Sequence, residues 1–320
     1  MLNVFFSVDV EIWCDDWRHI DAQFARAFDR YIYGPTARGS YGLPYQVDLL
    51  NAHGLRGVFF VEPLFSARFG AEPLAEIVGL LHDARQEVQL HLHTEWVDEA
   101  RRPLLAGGGG KRQHLRHFSL PEQIHLVGAG KQMLAGAGAR AVNAFRAGSF
   151  AFNRDSLLAL AANDIACDSS YNASMFGPDS GVMPGVTLVD AAPCEGIAEY
   201  PMTVFDDGRR QLRHVQLTSC SFEEIEALLW QALAAGRQSF MILSHSFELL
   251  NGSKDRPDAV VVRRFRRLCA FLERHRDVFR TCGFGALAAP AARPQPAPLV
   301  SPLWRTCARM AGQAYRWRYG

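Results

Sequence analysis

The sequence predicts an α/β fold built on parallel strands, and three observations carry that prediction. Apolar runs of strand length alternate along the chain with amphipathic, helix-like segments. The runs are apolar almost throughout, as expected of strands covered on both faces. Polar residues stand at the C-terminal ends of these runs: Asp9 and Glu11, His91 and His93, Arg146 and His245, with Asp168 after a shorter run. In a parallel barrel such ends converge on one face, where catalytic groups are built.

The first run, Leu2 to Val10, ends in Asp9-Val10-Glu11, two acids whose spacing puts them on one side of a continuing strand. Carboxylates are rarely buried unpaired, so packing explains them poorly. Residues 14 to 42 are polar, aromatic and glycine-containing, with a short helical hint over 21–31, and suit a lid or substrate wall. A helix over 43–53 stops at Gly54. A strand follows over 57–61, then a helix over 73–83.

The next run, Glu87 to Trp96, places His91 and His93 on one face and Leu90, Leu92 and Thr94 on the other. Two imidazoles on one strand face can hold one metal ion. Residues 97–118 form an insertion carrying Gly107 to Gly110. It lacks the Gly-Lys-Ser/Thr ending of a phosphate loop and reads as flexible. Ser119-Leu120-Pro121-Glu122 is a capping box opening a helix to about residue 135.

A strand over 141–145 leads into Arg146-Ala147-Gly148-Ser149-Phe150. A helix over 155–162 and a short strand over 165–167 lead to Asp168-Ser169-Ser170-Tyr171. Residues 172–220 read as irregular or β-rich. A second capping box at Ser221 opens a helix ending at Gly236, and the run from Ser239 to Ser244 delivers His245. The helix over 260–276 turns Phe265, Leu268, Cys269 and Leu272 inward. Its arginines, Arg263, Arg264, Arg266 and Arg267, read as a solvated basic face.

From 288 to 302 the composition turns to Ala and Pro, which predicts a linker closing a domain at 287. The tail, 303–320, holds Arg305, Arg309, Arg316 and Arg318 among Trp304, Tyr315, Trp317 and Tyr319. Such a segment can lie on an anionic membrane surface, pack back on the domain or fray.

Length and composition bound the function. The chain has 320 residues, enough for one barrel-sized domain, and its 48% hydrophobic and 21% charged content is that of a globular protein. A net charge of +1 gives no global pull toward nucleic acid. The seven cysteines are scattered and form no Cys-x-x-Cys, which argues against a disulfide framework and fits a reducing compartment. No apolar run reaches spanning length and no signal peptide is legible. The expectation is a cytoplasmic protein, with peripheral contact at the inner membrane surface through the tail.

In order and local context these motifs resemble the polysaccharide deacetylases, the NodB-homology proteins of carbohydrate esterase family 4. Phe6-Ser7-Val8-Asp9-Val10-Glu11 is similar to their acid-bearing first motif, and Glu87 to Glu95 to their histidine motif. Phe145 to Phe150 resembles the arginine turn, Asp168 to Tyr171 the fourth motif, and Ile242-Leu243-Ser244-His245 the last. The likeness spans residues 1 to about 285 and points to a divergent branch resembling lipopolysaccharide- and exopolysaccharide-biosynthesis deacetylases.

The resemblance implies a distorted (β/α) barrel of about seven parallel strands with an extra C-terminal tail. It also implies hydrolysis of the N-acetyl group of a saccharide. One divalent ion would assist, zinc or else cobalt, nickel, manganese or iron, held by Glu11, His91 and His93. Asp9 would be the base and His245 the acid, with Asp168 orienting His245 and Arg146 aligning Asp9. A backbone N–H near Ser149 would face the oxyanion, and Trp13 and Trp96 would line the substrate.

The chain departs from the family's common pattern in three places, one of them the Ala-Gly-Ser that follows Arg146 in place of the commoner Pro-Tyr ending. An acid-x-acid pair stands where adjacent acids are usual, and His91 is followed four residues on by Glu95, so either His93 or Glu95 supplies the third ligand. An amidase for a small amide or ureide, and a non-catalytic sugar-binding relative, are the alternative readings.

Overall fold

The computed structural model describes residues 1–106, 110–285, 287–306 and 309–310. The Gly107–Gly109 part of the glycine run and the tail residues Tyr315, Arg316, Trp317, Arg318 and Tyr319 lie outside the described residues. The chain folds as two compact units, each assembled from separate stretches.

The first unit comprises Met1–Gly57, Val204–Cys282 and the described residues from Pro298 on, 298–306 and 309–310. Its central strand, Leu2–Val10, is buried at every position but Asn3. Ser239–His245 runs parallel to it in a register that sets Phe6 beside Ile242 and Asp9 beside His245. Phe279–Thr281 also pairs with its start in parallel. The helix Ala259–Arg274 presents Val261, Phe265, Leu268 and Leu272 to the core, and Phe265 stacks on Phe6 with centroids 4.9 Å apart. Its basic face is engaged on the surface: Arg267 pairs with Glu223 at 2.5 Å, and Arg266 donates to the Tyr45 hydroxyl at 2.9 Å. The helical hint near residue 21 is the helix Ile20–Phe28, continued as a π-helical turn, Asp29–Tyr33, that stops at Gly34 with φ +57°.

Parts of the stretch expected as a linker and tail pack on this unit. Leu299–Val300 pairs in parallel with Val204–Asp206, which also pairs with Leu212–His214. Arg309 is buried: its guanidinium meets Glu224 at 3.0 Å and Asp207 at 3.8 Å, and the Ser301 hydroxyl donates to Glu224 at 2.6 Å. Gln295 is likewise bound, accepting from the backbone of Val189 and Asp190 within the second unit. Composition marked a boundary at 288, but a buried carboxylate, Glu224, required a cation, and Arg309 supplies it.

The second unit comprises Val58–Thr203 and Gly283–Ala297. Its parallel strands run in the order Gly57–Val61, Glu87–Leu92, Ala144–Ala147, Cys167–Asp168 and Ile197–Glu199, with Ala192–Cys194 antiparallel at the end. The helices Glu72–Asp83, Leu120–Gly136 and Arg154–Ala162 connect them. The capping box forms as expected: the Ser119 amide donates to Glu122 at 2.7 Å. A hydrogen bond from Arg112, reinforced by Ser119, holds the Glu122 carboxyl down at about 2. Gly130 lets its helix approach the sheet closely, since a Cβ there would stand 2.8 Å from Leu92.

The strand expected from 141 starts only at Ala144. The Gln89 side chain takes the amides of Asn143 and Ala144, while the Asn143 carbonyl accepts from Ala166 and Cys167. No helix among the described residues is long and apolar enough to cross a membrane.

Candidate active site

In the second unit the two histidines sit where the strand delivers them. His91 lies within Glu87–Leu92. His93 follows with extended backbone, φ −102° and ψ 103°, so the alternation survives one residue past the strand. Both rings are buried, 4.8 Å apart and near-perpendicular. His91 Nδ1 lies 2.7 Å from the carbonyl of Arg146, its register partner on the next strand. A carbonyl only accepts, so Nδ1 carries the hydrogen and the lone pair sits on Nε2. His93 Nδ1 lies 3.3 Å from Glu95 Oε2, with the same consequence. Glu95 thereby fixes the orientation of the His93 ring. A Cβ at residue 148 would stand 2.7 Å from His93 Nδ1 and from the Leu92 carbonyl, so only glycine admits the ring there.

The turn after Ala144–Ala147 is strained. Ser149 and Phe150 both hold left-handed backbone, φ +56° and +57°, a conformation that is costly without glycine and is concentrated at functional sites. Behind the turn the Arg146 guanidinium is fully buried. It donates to the Ser169 carbonyl at 3.2 Å and hydroxyl at 3.1 Å and lies 4.2 Å over the Phe60 ring. The Ala147 amide donates to Ser170 Oγ at 2.9 Å, and that hydroxyl donates to Asp168 at 2.7 Å.

Asp168 faces Glu199, its neighbour across the parallel register, and neither is solvent-accessible. Burial, then the charge of Asp168, pushes the Glu199 carboxyl well above the usual range. Burial pushes the Asp168 carboxyl up as well, and Glu199 accepts from the Tyr171 amide at 3.1 Å. Glu199 was missed in the sequence because its three-residue strand lies in a stretch with no periodic signal.

In the first unit Asp9 and His245 are register neighbours on adjacent strands, and the Ser246 amide donates to the Asp9 carbonyl at 3.1 Å. Glu11 is buried. One oxygen accepts from Trp13 Nε1 at 3.0 Å, and the other lies 3.2 Å from His245 Nε2. His245 Nδ1 lies 2.7 Å from Glu248 Oε1. Glu248 is buried, and the Gln216 amide also donates to it. Gln46 Nε2 donates to the carbonyls of His245 and Ser246 and pins the turn. Burial opposes charge on this imidazole. The Glu248 hydrogen bond and the charges of Glu248, Glu11 and Asp9 outweigh it and push the His245 pKa up to about 9.

Two expectations change here. The carboxylate at His245 Nδ1 is Glu248, and one ring nitrogen makes one such bond, so Asp168 is not the group held there. The signal was an acid three residues after the histidine. Asp168 instead supports the Ala147–Ser149 turn through Ser170. Trp96, expected to touch substrate, is 1% exposed and packs edge-on against Phe65 and Phe69. It is a core residue. Trp13 is partly exposed, beside Glu11, with Trp17 edge-on at 6.2 Å.

These features define an α/β protein built on mostly parallel strands, and its fold is similar to that of a solved structure. The particular likeness is to a Mycobacterium smegmatis protein provisionally named a polysaccharide deacetylase, with a TM-score of 0.53, 16% identity, and coverage of 88% of this chain and 86% of that one. A family 4 carbohydrate esterase from Streptomyces lividans, solved with acetate, is similar at a TM-score of 0.45 and 13% identity, covering 93% of this chain and 97% of that one. No protein-family model and no curated protein matches the chain.

Proposed function

We propose that this chain removes the acetyl group from an N-acetylated sugar of a cell-surface polysaccharide or its precursor, of the lipopolysaccharide or exopolysaccharide kind. The observation that carries the reading is the pair of imidazoles on one strand end, each with Nδ1 engaged so that Nε2 bears the lone pair. Glu11, His91 and His93 each offer one ligand atom from a buried side chain, a donor set that fits zinc or a similar divalent ion. Such an ion, when bound, acidifies a water and polarises the acetyl carbonyl.

The chain's own residues supply the rest. Asp9 takes the water proton. His245, charged at neutral pH and held by Glu248, gives its proton from Nε2 to the departing amine. A backbone N–H of the left-handed Ser149 turn donates to the developing oxyanion. Arg146, bonded to Ser169, backs that turn.

The test compares two variants on an N-acetyl sugar panel and on an activated acetyl ester, with acetate release measured. An amine must leave protonated, whereas an activated ester's leaving group needs that help less. His245→Ala should lose amide cleavage and keep part of the ester activity. Asp9→Asn should lose both. Near-wild-type amide turnover in both variants would remove the hydrolase reading. Binding of N-acetyl sugars without turnover under any metal would mark a sugar-binding relative.

A further inference from the structure

The loop that follows His245 presents a lysine whose placement the turn does not require. Leu250 and Pro257 bridge its base, and the Asn251 amide donates to the Arg256 carbonyl at 2.9 Å. Inside, Asn251 Oδ1 accepts from the amides of Asp255 and Arg256. The Asp255 carboxylate accepts from Asn251 Nδ2 at 2.9 Å and Ser253 Oγ at 2.8 Å and meets Arg256 at 3.6 Å. This wiring holds Lys254 in left-handed backbone, φ +57°. Glycine or asparagine would fill that position with less strain. The lysine side chain is therefore the feature the loop carries.

Its ammonium lies 4.9 Å from the Tyr31 ring centroid and 5.0 Å from that of Phe247, and the two rings meet edge-on at 4.8 Å. Phe247 in turn lies 5.4 Å from the His245 ring. Two ring contacts thus separate the proposed acid from a fixed cation. Among the described residues no carboxylate pairs with Lys254, because Asp255 is committed within the loop. Partial burial, then the charge of Arg30, pulls the Lys254 pKa down, and Asp15 only partly offsets it. Arg30 is itself held by the exposed Asp15 at 3.4 Å. The aromatic faces keep the ammonium where its surroundings disfavour it. An anion brought alongside would satisfy it.

We propose that Lys254, with Arg30 behind it, is an anion subsite beside His245, and that the substrate is an acetylated sugar bearing a phosphate or carboxylate on the same or the adjoining ring. This deepens the deacetylase reading and rests on it for the identity of the sugar. The chemistry is a charge-assisted hydrogen bond from an ammonium pre-positioned by two rings and a locked loop.

The test takes the full-length, metal-loaded protein and three probes: N-acetylglucosamine, N-acetylglucosamine 1-phosphate, and an N-acetylated aminouronic acid. For each, kcat/KM for acetate release and Kd by calorimetry are measured in wild type, Lys254→Gln and Lys254→Arg. The ratio of charged to neutral sugar should fall about tenfold in Lys254→Gln, the scale of one hydrogen bond to a charged group, and be largely kept in Lys254→Arg. Raising the salt should erode the wild-type ratio. A fall for one charged probe alone identifies whether phosphate or carboxylate is the natural group. A ratio unchanged in Lys254→Gln for both probes overturns the proposal. If no sugar is deacetylated but the Kd ratio still collapses in Lys254→Gln, the catalytic reading fails and the anion subsite stands.

Discussion

Replacing Glu248 by Gln should uncouple His245 from its charge. The wild-type imidazole titrates at about 9 against an ordinary 6.5, a preference for the charged ring of about 3 kcal/mol. Burial acts against that preference, so the favourable contributions exceed the net effect, and the 2.7 Å bond to Glu248 is the largest of them. Glutamine keeps the shape and an acceptor but removes the charge, leaving Glu11 and Asp9 to offset burial. His245 should then titrate near or below 6.5. The sign for stability follows. Because the folded pKa is raised, the wild-type contribution is complete below pH 6.5 and is lost as pH rises through about 9; the variant should show almost no such loss. Ring-nitrogen NMR of the metal-free protein reads the titration directly, and urea unfolding between pH 6 and 10 reads its linkage. In turnover, the alkaline limb of kcat/KM should move down with the same pKa, since the acid must be protonated. The reasoning is refuted if His245 still titrates near 9 in Glu248→Gln, or if Asp168→Asn lowers it while Glu248→Gln does not.

Further outcomes follow from the other partners. His93→Ala should abolish tight divalent-ion binding in calorimetry, whereas Glu95→Gln, which only loosens the ring's orientation, should weaken it by about 10- to 100-fold; the reverse order would make Glu95 the ligand. Arg309→Ala should cost about 3–5 kcal/mol in urea unfolding by leaving Glu224 buried and unpaired. The double change Arg309→Met with Glu224→Leu should recover most of it, and a tail bound only to membranes would show neither effect. Glu199→Gln should cost much less than Glu199→Ala, because burial and the charge of Asp168 favour the uncharged carboxyl, while Glu199→Ala should lower Tm and slow turnover by unseating Asp168; equal losses in both would mean Glu199 acts as an anion.

The strands and helices were legible because their signals are local. Leu2–Val10 and Ser239–His245 are almost wholly apolar, and Ser119 with Glu122 announces a helix start by side-chain chemistry alone. His91 and His93 were legible for the same reason, since strand alternation assigns their face. What was hidden depends on contacts far apart in sequence. Glu199 acquires its meaning only from Asp168 across a strand register, and Arg309 only from Glu224, 85 residues away. Trp96 was misassigned because an aromatic next to a histidine motif looks the same in sequence whether it faces a ligand or Phe65.

Glu248 is the instructive intermediate case. It stands three residues after His245, close enough to be read locally, whereas the resemblance points to the aspartate Asp168. The structure separates the histidines by what holds Nδ1. His91 is held by a carbonyl and His93 by Glu95, which fixes where each lone pair points. His245 has a carboxylate at each ring nitrogen, Glu248 at Nδ1 and Glu11 at Nε2. An imidazole between two carboxylates is stabilised as the cation, which can give up a proton but cannot ligate a metal; an imidazole whose Nδ1–H is held by a single acceptor is suited to ligation. Under the proposed mechanism the division into ligands and acid would follow carboxylate placement, and moving one carboxylate, as in Glu248→Gln, is expected to turn His245 toward the ligand type.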